Sequence, residues 1–274
     1  MHEVKLNIDD YIQRAIRQAE LDSRSKEILE RRFGLTTPGF STLQELGDEH
    51  KVTRERVRQL ESQAVKKIKL EFVKIGEISR FMDFTRDYLN AVGGLKRHDF
   101  LVKEFYLMFK TEQEESVFEN ELEFLFEILE FPNFFEEDDV YHRFWYLEEK
   151  IYERMEAIHQ NFIQRLKNIE HFEEVLREVI KPHRITEPVA LNYLSVSKKI
   201  GIGPFGDLGL SDWEEINPRT VRAKIYLVLK RADKPLHFNE IADSTRCHPP
   251  TVHNELIKDK RFKLVSRGIY ALKK

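Results

Sequence analysis

The sequence holds a single cysteine, Cys247, in 274 residues. That excludes a disulfide framework and any zinc site built on several thiolates, and it points to a reducing compartment. Glycine (11) and proline (9) are sparse beside 34% charged and 41% apolar residues, which excludes a low-complexity chain and favours long regular elements, mostly helices. No apolar run approaches the length of a membrane span, and the opening Met1-His2-Glu3-Val4-Lys5-Leu6 lacks the basic and apolar regions of a secretory leader. There is no His-Glu-x-x-His and no Cys/His zinc spacing, and Gly201, Gly203 and Gly206 are read as part of a wing and not as a nucleotide loop. His237, Cys247, His248 and His253 offer only one thiolate, and Asp138-Asp139 lies in a general acidic run. The absences predict a cytoplasmic, mainly α protein that is not an enzyme and uses no cofactor and no metal.

What is present is charge, unevenly placed. Residues 1–80 carry 16 basic against 14 acidic residues, residues 81–216 carry 15 against 29, and residues 217–274 carry 14 against 5. The small total of −3 is therefore the remainder of +2, −14 and +9. A basic island at residues 51–70 and a basic C-terminal block suggest two nucleic-acid contacts held apart by an acidic middle. Ordinary solvated helix faces fit the same counts.

Residues 7–33 read as helical from the spacing of Ile8, Tyr11, Ile12, Ile16, Ala19, Leu21, Ile28, Leu29 and Phe33, with Gly34 as the stop. Thr36-Thr37-Pro38-Gly39 is a turn, and Thr42-Leu43-Gln44-Glu45 has the form of a capping box. His50-Lys51-Val52 leaves room for only a tight turn before Thr53 caps a helix running to about Leu70, which makes a helix-turn-helix. At about 100° per residue, Val57, Leu60, Ala64 and Ile68 form one buried stripe. Arg54, Glu55, Arg58, Gln59 and Ser62 form the opposite, polar face. Arg suits guanine, Gln adenine and Glu cytosine, while Lys66, Lys67 and Lys69 suit phosphates, which position without specifying. The predicted partner is double-stranded DNA, and the expected location is cytoplasmic and nucleoid-associated.

Three segments carry a resemblance. Arg24 to Leu35, Thr42-Leu43-Gln44-Glu45-Leu46-Gly47, and Val52-Thr53-Arg54-Glu55-Arg56-Val57-Arg58-Gln59-Leu60-Glu61 are similar to region four of the sigma-70 family of bacterial sigma factors. The likeness covers about residues 20–70; nothing upstream of it resembles that family's region two. It implies major-groove reading of a promoter-type element by Arg54, Glu55, Arg58 and Gln59, phosphate contacts near Thr42, Leu43 and Lys66, and contact with RNA polymerase; Thr53 and Ser62 complete the expected DNA-binding set on this helix and its cap.

In the C-terminal block a helix from Asn217-Pro218-Arg219 is broken at Lys234-Pro235-Leu236, a short one carries Phe238, Ile241 and Ala242, and Pro249-Pro250 opens a third, Thr251 to Lys258. Phe262–Val265 and Ile269–Leu272 around Ser266-Arg267-Gly268 read as a β-hairpin, so the block is expected to be a winged helix. The helical wheel turns Thr251, Asn254, Glu255 and Lys258 outward and places His253 with Leu256 and Ile257 in the apolar arc. Lys263, Arg267, Lys273 and Lys274 supply a phosphate-touching edge. Lys234 to Ala242 and Arg267 to Leu272 resemble the HARE helix-turn-helix module, also found in the delta subunit of bacterial RNA polymerase, which implies contact with DNA or with a polymerase surface.

The middle holds 12 of the 20 phenylalanines in residues 81–146, and Phe118, Leu122, Leu125, Phe126 and Leu129 recur at helical spacing. Tyr88-Leu89 with Gly93-Gly94-Leu95 and Phe100 parallels Tyr226-Leu227 with Lys234-Pro235-Leu236 and Ile241, a faint repeat that predicts another winged helix there. Leu147 to Ile180 reads as one long amphipathic helix, followed by a degenerate third copy with Ala190–Leu194 as its last helix and Gly201–Trp213 as its wing. The resulting expectation is a mainly α chain of modules at residues 1–75, 76–146, 147–216 and 217–274: a helix-turn-helix followed by helical or winged-helix modules with small β-hairpin wings. Its expected role is sequence-specific, sigma-like regulation of transcription. The alternative is an RNA polymerase-binding adaptor, or a sigma competitor, that reads no sequence. The oligomeric state is left open.

Overall fold

The computed structural model describes residues 6–36 and 39–273; of the expected features, the Thr37-Pro38 half of the turn, Lys274 and the opening residues lie outside them. Among the described residues helices dominate, and strands occur only in three small antiparallel sheets. The chain divides into two compact units, residues 1–158 with 185–196 and residues 159–184 with 197–274.

In the first unit α1 (Ile8–Gln18), α2 (Ser23–Phe33), α3 (Leu43–His50) and α4 (Arg54–Phe72) are followed by α5 (Gly76–Ala91), β1 (Leu95–Arg97), α6 (His98–Phe109), α7 (Glu115–Leu129), β2 (Asn133–Phe135) and β3 (Phe144–Tyr146). The continuous helix expected over residues 7–33 is instead two. Glu20 turns into the left-handed region (φ 45°), and Asp22 accepts a hydrogen bond from Ser25 N at 2.9 Å, so a local cap outweighs the apolar period. The main core combines Tyr11, Ile12, Ile68, Phe72, Phe105 and Phe126, so α1 and the second half of α4 share one interior with α5, α6 and α7. Phe124 ties these elements together, with its ring centroid 4.7 Å from Phe33 and 6.5 Å from Phe72. The helical reading of Phe118–Leu129 holds, and the sheet order is β1-β3-β2. The expected single helix over residues 147–180 is broken into α8 (Glu149–Arg165) and, among the residues of the second unit, a 3-10 turn (Ile169–His171) and α9 (Phe172–Ile180), because Asn168 accepts from His171 N and starts a new turn. α10 (Glu187–Ser195) lies against β1, where the Asn192 amide donates to Val92 O and Leu95 O.

The second unit contains the hairpin β4 (Ile200–Ile202) and β5 (Leu208–Leu210), then α11 (Val221–Ala232), β6 (Leu236–His237), α12 (Phe238–Thr245), α13 (Pro249–Lys258), β7 (Phe262–Ser266) and β8 (Ile269–Leu272). α11 starts later than Asn217, at the Thr220 cap that accepts from Ala223 N at 3.1 Å. Ile225, Leu229, Ile241, Val252, Leu256 and Tyr270 pack into its core, and the strand order is β6-β8-β7. His253 packs between the Phe238 and Tyr270 rings as expected. Ile257 does not join the apolar arc: it is 63% exposed, because the arc closes on Val252 and Leu256.

Candidate nucleic-acid interface

The helix-turn-helix is built on a small core of its own, Ile28, Leu46, Val57 and Leu60, with Leu43 and Val52 half-buried against it. Thr42 makes the expected capping box: its hydroxyl accepts from Glu45 N at 3.2 Å, and its own N–H donates to the Glu45 carboxylate at 2.7 Å. Those bonds hold the Glu45 pKa below its ordinary value. Thr53 caps α4 by accepting from Arg56 N at 3.1 Å. Between the helices Lys51 takes the left-handed conformation (φ 54°), and Val52 N donates to Gly47 O at 2.9 Å. A Cβ at residue 47 would stand 2.9 Å from Val52 O, so this turn closes only over glycine.

Two arginines clamp the motif. Arg31 on α2 pairs with Glu49 on α3, and Arg32 donates to Ser41 O at 2.7 Å and pairs with Glu61 on α4 at 3.3 Å. Sequence reasoning passed over Gly47, Arg31 and Arg32 because their roles depend on contacts across the turn, although a glycine five residues before Val52 is itself a signal.

On α4 the stripe Val57, Leu60, Ala64 and Ile68 is buried, and Thr53, Arg54, Glu55, Arg58, Gln59, Ser62 and Lys66 are exposed. The structure thus gathers these seven residues on one helix and its cap. Arg58 binds Glu55 through two hydrogen bonds of 2.8 and 2.7 Å, with Gln59 Nε2 also reaching the carboxylate at 3.5 Å. The Arg58 bonds lower the Glu55 pKa and raise that of Arg58. The Leu43 side chain is half-buried against the small core, and its backbone N–H belongs to the first turn of α3, where helix N–H groups lack intrahelical partners. Thr42 is exposed at that same helix start.

In the second unit Thr251, Asn254 and Lys258 are exposed on α13, and Lys263 and Arg267 are exposed on the β7–β8 hairpin. Glu255, expected to face outward, is half-buried, and Arg222 holds it at 2.8 Å. The hairpin also exposes Leu264 (62%) and Val265 (52%), so its edge is part apolar and not purely basic.

One titratable cluster lay beyond sequence reasoning because its members are distant in the chain: His98, Glu119 and Glu123. His98 Nε2 lies 2.8 Å from Glu119 and 3.0 Å from Glu123, and Arg143 reaches Glu123 at 3.0 Å. The Trp145 indole N–H donates to His98 Nδ1 at 2.9 Å. Indole N–H is only a donor, so Nδ1 accepts and the ring proton sits on Nε2, facing the carboxylates. Burial lowers the His98 pKa and the two carboxylates raise it, with a net rise, but a second proton at Nδ1 would meet that indole. With Nε2 protonated and Arg143 on the carboxylates, the donor set does not fit a metal ion; it ties α6, α7 and β3 together. No helix among the described residues is long and apolar enough to cross a membrane.

Residues 19–70 match the family model for Sigma-70, region 4. The RNA polymerase sigma factor SigA of Lactococcus lactis subsp. cremoris is 39% identical over 67 residues, 22% of this chain and 18% of that protein. The RNA polymerase sigma factor RpoD of Helicobacter pylori (strain ATCC 700392 / 26695) is 49% identical over 51 residues, 18% of this chain and 8% of that one. The RNA polymerase sigma factor sigB of Arabidopsis thaliana is 47% identical over 49 residues, 18% and 9% of the two chains. No solved structure matches the chain. The chain thus spans less than a fifth of the length of these curated relatives. Within the stretch that matches sigma-70 region 4, α4 presents its exposed polar face.

Proposed function

We propose that the protein is a sequence-specific, double-stranded-DNA-binding regulator of transcription that recognises a promoter-type element as sigma factors do and contacts RNA polymerase. The observation that carries this reading is the exposed polar face of α4, set by a capped, glycine-closed turn within the region 4 match. Arg54, Glu55, Arg58 and Gln59 read base edges, and Thr53, Ser62, Lys66, Thr42 and the Leu43 N–H sit at the backbone. Three helices with the β6-β8-β7 sheet support reading the C-terminal module as a winged helix, and its resemblance to the HARE module is part of this proposal. In this reading it adds a second DNA contact through Thr251, Asn254, Lys258, Lys263 and Arg267. The protein works in the cytoplasm, at the nucleoid, and has no catalytic role.

Selection of bound sequences from a random duplex library by the purified chain tests the reading. Recovery of a common site, bound with an affinity that falls steeply as salt rises, is the expected result. The rival, a polymerase-binding adaptor that reads no sequence, draws on the apolar Leu264 and Val265 at the hairpin edge. Capture of RNA polymerase by a chain that enriches no site and binds DNA without salt dependence selects the rival.

A further inference from the structure

Residues 76–146 and 221–272 run in the same order: helix, strand, helix, helix, hairpin. Their strands also pair in the same order, with the last strand central, β1-β3-β2 and β6-β8-β7. The two modules part at their third helix. α13 keeps Thr251, Asn254 and Lys258 exposed, whereas α7 packs against α1, α2 and α4, and its Asn120 donates to Gly34 O at 3.1 Å. α7 is committed to holding the helix-turn-helix and offers no face to a groove of DNA.

It does leave a groove open between its C-terminal half and the β2–β3 hairpin, with a volume of about 560 Å³. Phe126, Pro132, Phe134 and Trp145 line it with apolar surface, and Glu123, Glu127, Glu130 and Glu136 rim it. Arg143 answers Glu123 at 3.0 Å and Lys69 answers Glu130 at 2.5 Å. Glu127 and Glu136 have no ion pair among the described residues. Burial and the nearby charges of Glu61 and Glu123 push the Glu127 pKa up. Beyond β2 the chain continues Glu136-Glu137-Asp138-Asp139, where the C-terminal hairpin turn carries Arg267.

We propose that this groove docks a cationic segment of a partner protein, one in which arginine or lysine alternates with aliphatic side chains. Aliphatic side chains bury on the Phe134 and Trp145 floor, and guanidinium groups meet Glu127 and Glu136, with the ring faces adding cation–π attraction. Nucleic acid is repelled by the same rim, and a bare cation would leave the floor unused. A volume of this size holds several side chains, enough for a short peptide stretch. The inference is independent of whether α4 reads DNA.

The full-length chain is titrated with a labelled short peptide alternating arginine with leucine, followed by anisotropy, and in a Trp213→Phe chain by the emission of the remaining tryptophan, Trp145. The expected result is saturable binding that shifts Trp145 emission and weakens about tenfold in Glu127→Gln/Glu136→Gln, two exposed positions whose change leaves the fold and DNA affinity intact. An arginine–serine peptide should bind about tenfold more weakly than the arginine–leucine one. The proposal is overturned by equal affinity for the two peptides, by undiminished binding to the double variant, by an unmoved Trp145 signal at saturation, or by no binding at all.

Discussion

Arg58, Glu55 and Gln59 satisfy one another on the free helix, so reading a base means exchanging contacts as well as gaining them. Arg58→Ala should therefore weaken binding to the selected site by roughly 10- to 100-fold while changing affinity for random duplex far less. Lys66→Ala, at a phosphate-facing position, should weaken both by the same modest factor, and equal behaviour of the two variants would remove Arg58 from base reading. These exposed residues were legible because a helical wheel needs only spacing. Buried polar residues were not: Glu121 looks like one more acid in an acidic run, yet it is 0% exposed on α7. It accepts from Gln113 Nε2 at 2.9 Å, and burial, with the charge and side-chain hydrogen bonding of Asp9 adding to it, pushes its pKa up to about 8. Between its ordinary value of 4.5 and about 8 the folded chain keeps a proton that the unfolded chain has released. Stability therefore falls as pH rises through that window and levels above it, by on the order of a few kcal/mol in all. Urea midpoints across the same window should show this slope in the native chain, and Glu121→Gln should flatten it and be the more stable form at the alkaline end.

At the level of elements, α4 puts one apolar stripe to two uses. Val57 and Leu60 close the small core of the helix-turn-helix, while Ala64, Ile68 and Phe72 enter the large core shared with α7. The reading face is thus held at both ends of the helix, and the turn that aims it depends on Gly47. Gly47→Ala places a methyl group against the Val52 carbonyl, which belongs to backbone and cannot swing aside, so a loss of about 1–3 kcal/mol is expected. Thr53→Ala removes only the cap and should cost about 0.5–2 kcal/mol. Thermal unfolding of both variants checks the order; a Gly47→Ala chain as stable as the native one would mean that the turn relaxes. The capping box at Thr42, the Thr53 cap and the β7–β8 hairpin were readable because each rests on residues three or four apart or on a short turn. The breaks after α1 and α8 were not, since the apolar period runs on through Ala19–Leu21 and only the Asp22 and Asn168 side chains, finding backbone N–H groups, end the helices. The second buried face of α7 was equally hidden: its period shows one face, and the second is covered by α1, α2 and α4 from far away in the chain.

For the whole molecule, the segmental charges of +2, −14 and +9 make a testable division of labour. If only the region 4 segment met DNA, the salt dependence of binding would reflect α4 and its cap alone. If the C-terminal module also meets DNA, each lysine or arginine that neutralises a phosphate adds about 0.9 to the slope of log affinity against log salt. Replacing Lys258, Lys263 and Arg267 together with alanine should then lower that slope by about 2–3 on selected and random duplex alike. These three side chains are exposed, so their loss should leave the fold of the module intact. The acidic middle cannot supply such a decrement, because its carboxylates meet no phosphates, and neutralising Glu127 and Glu136 should leave the slope in place. An unchanged slope in the triple alanine variant would detach the C-terminal module from DNA. Its exposed Leu264 and Val265 would then mark the hairpin edge as a protein-facing surface, and α4 would be left as the chain's single reader of sequence.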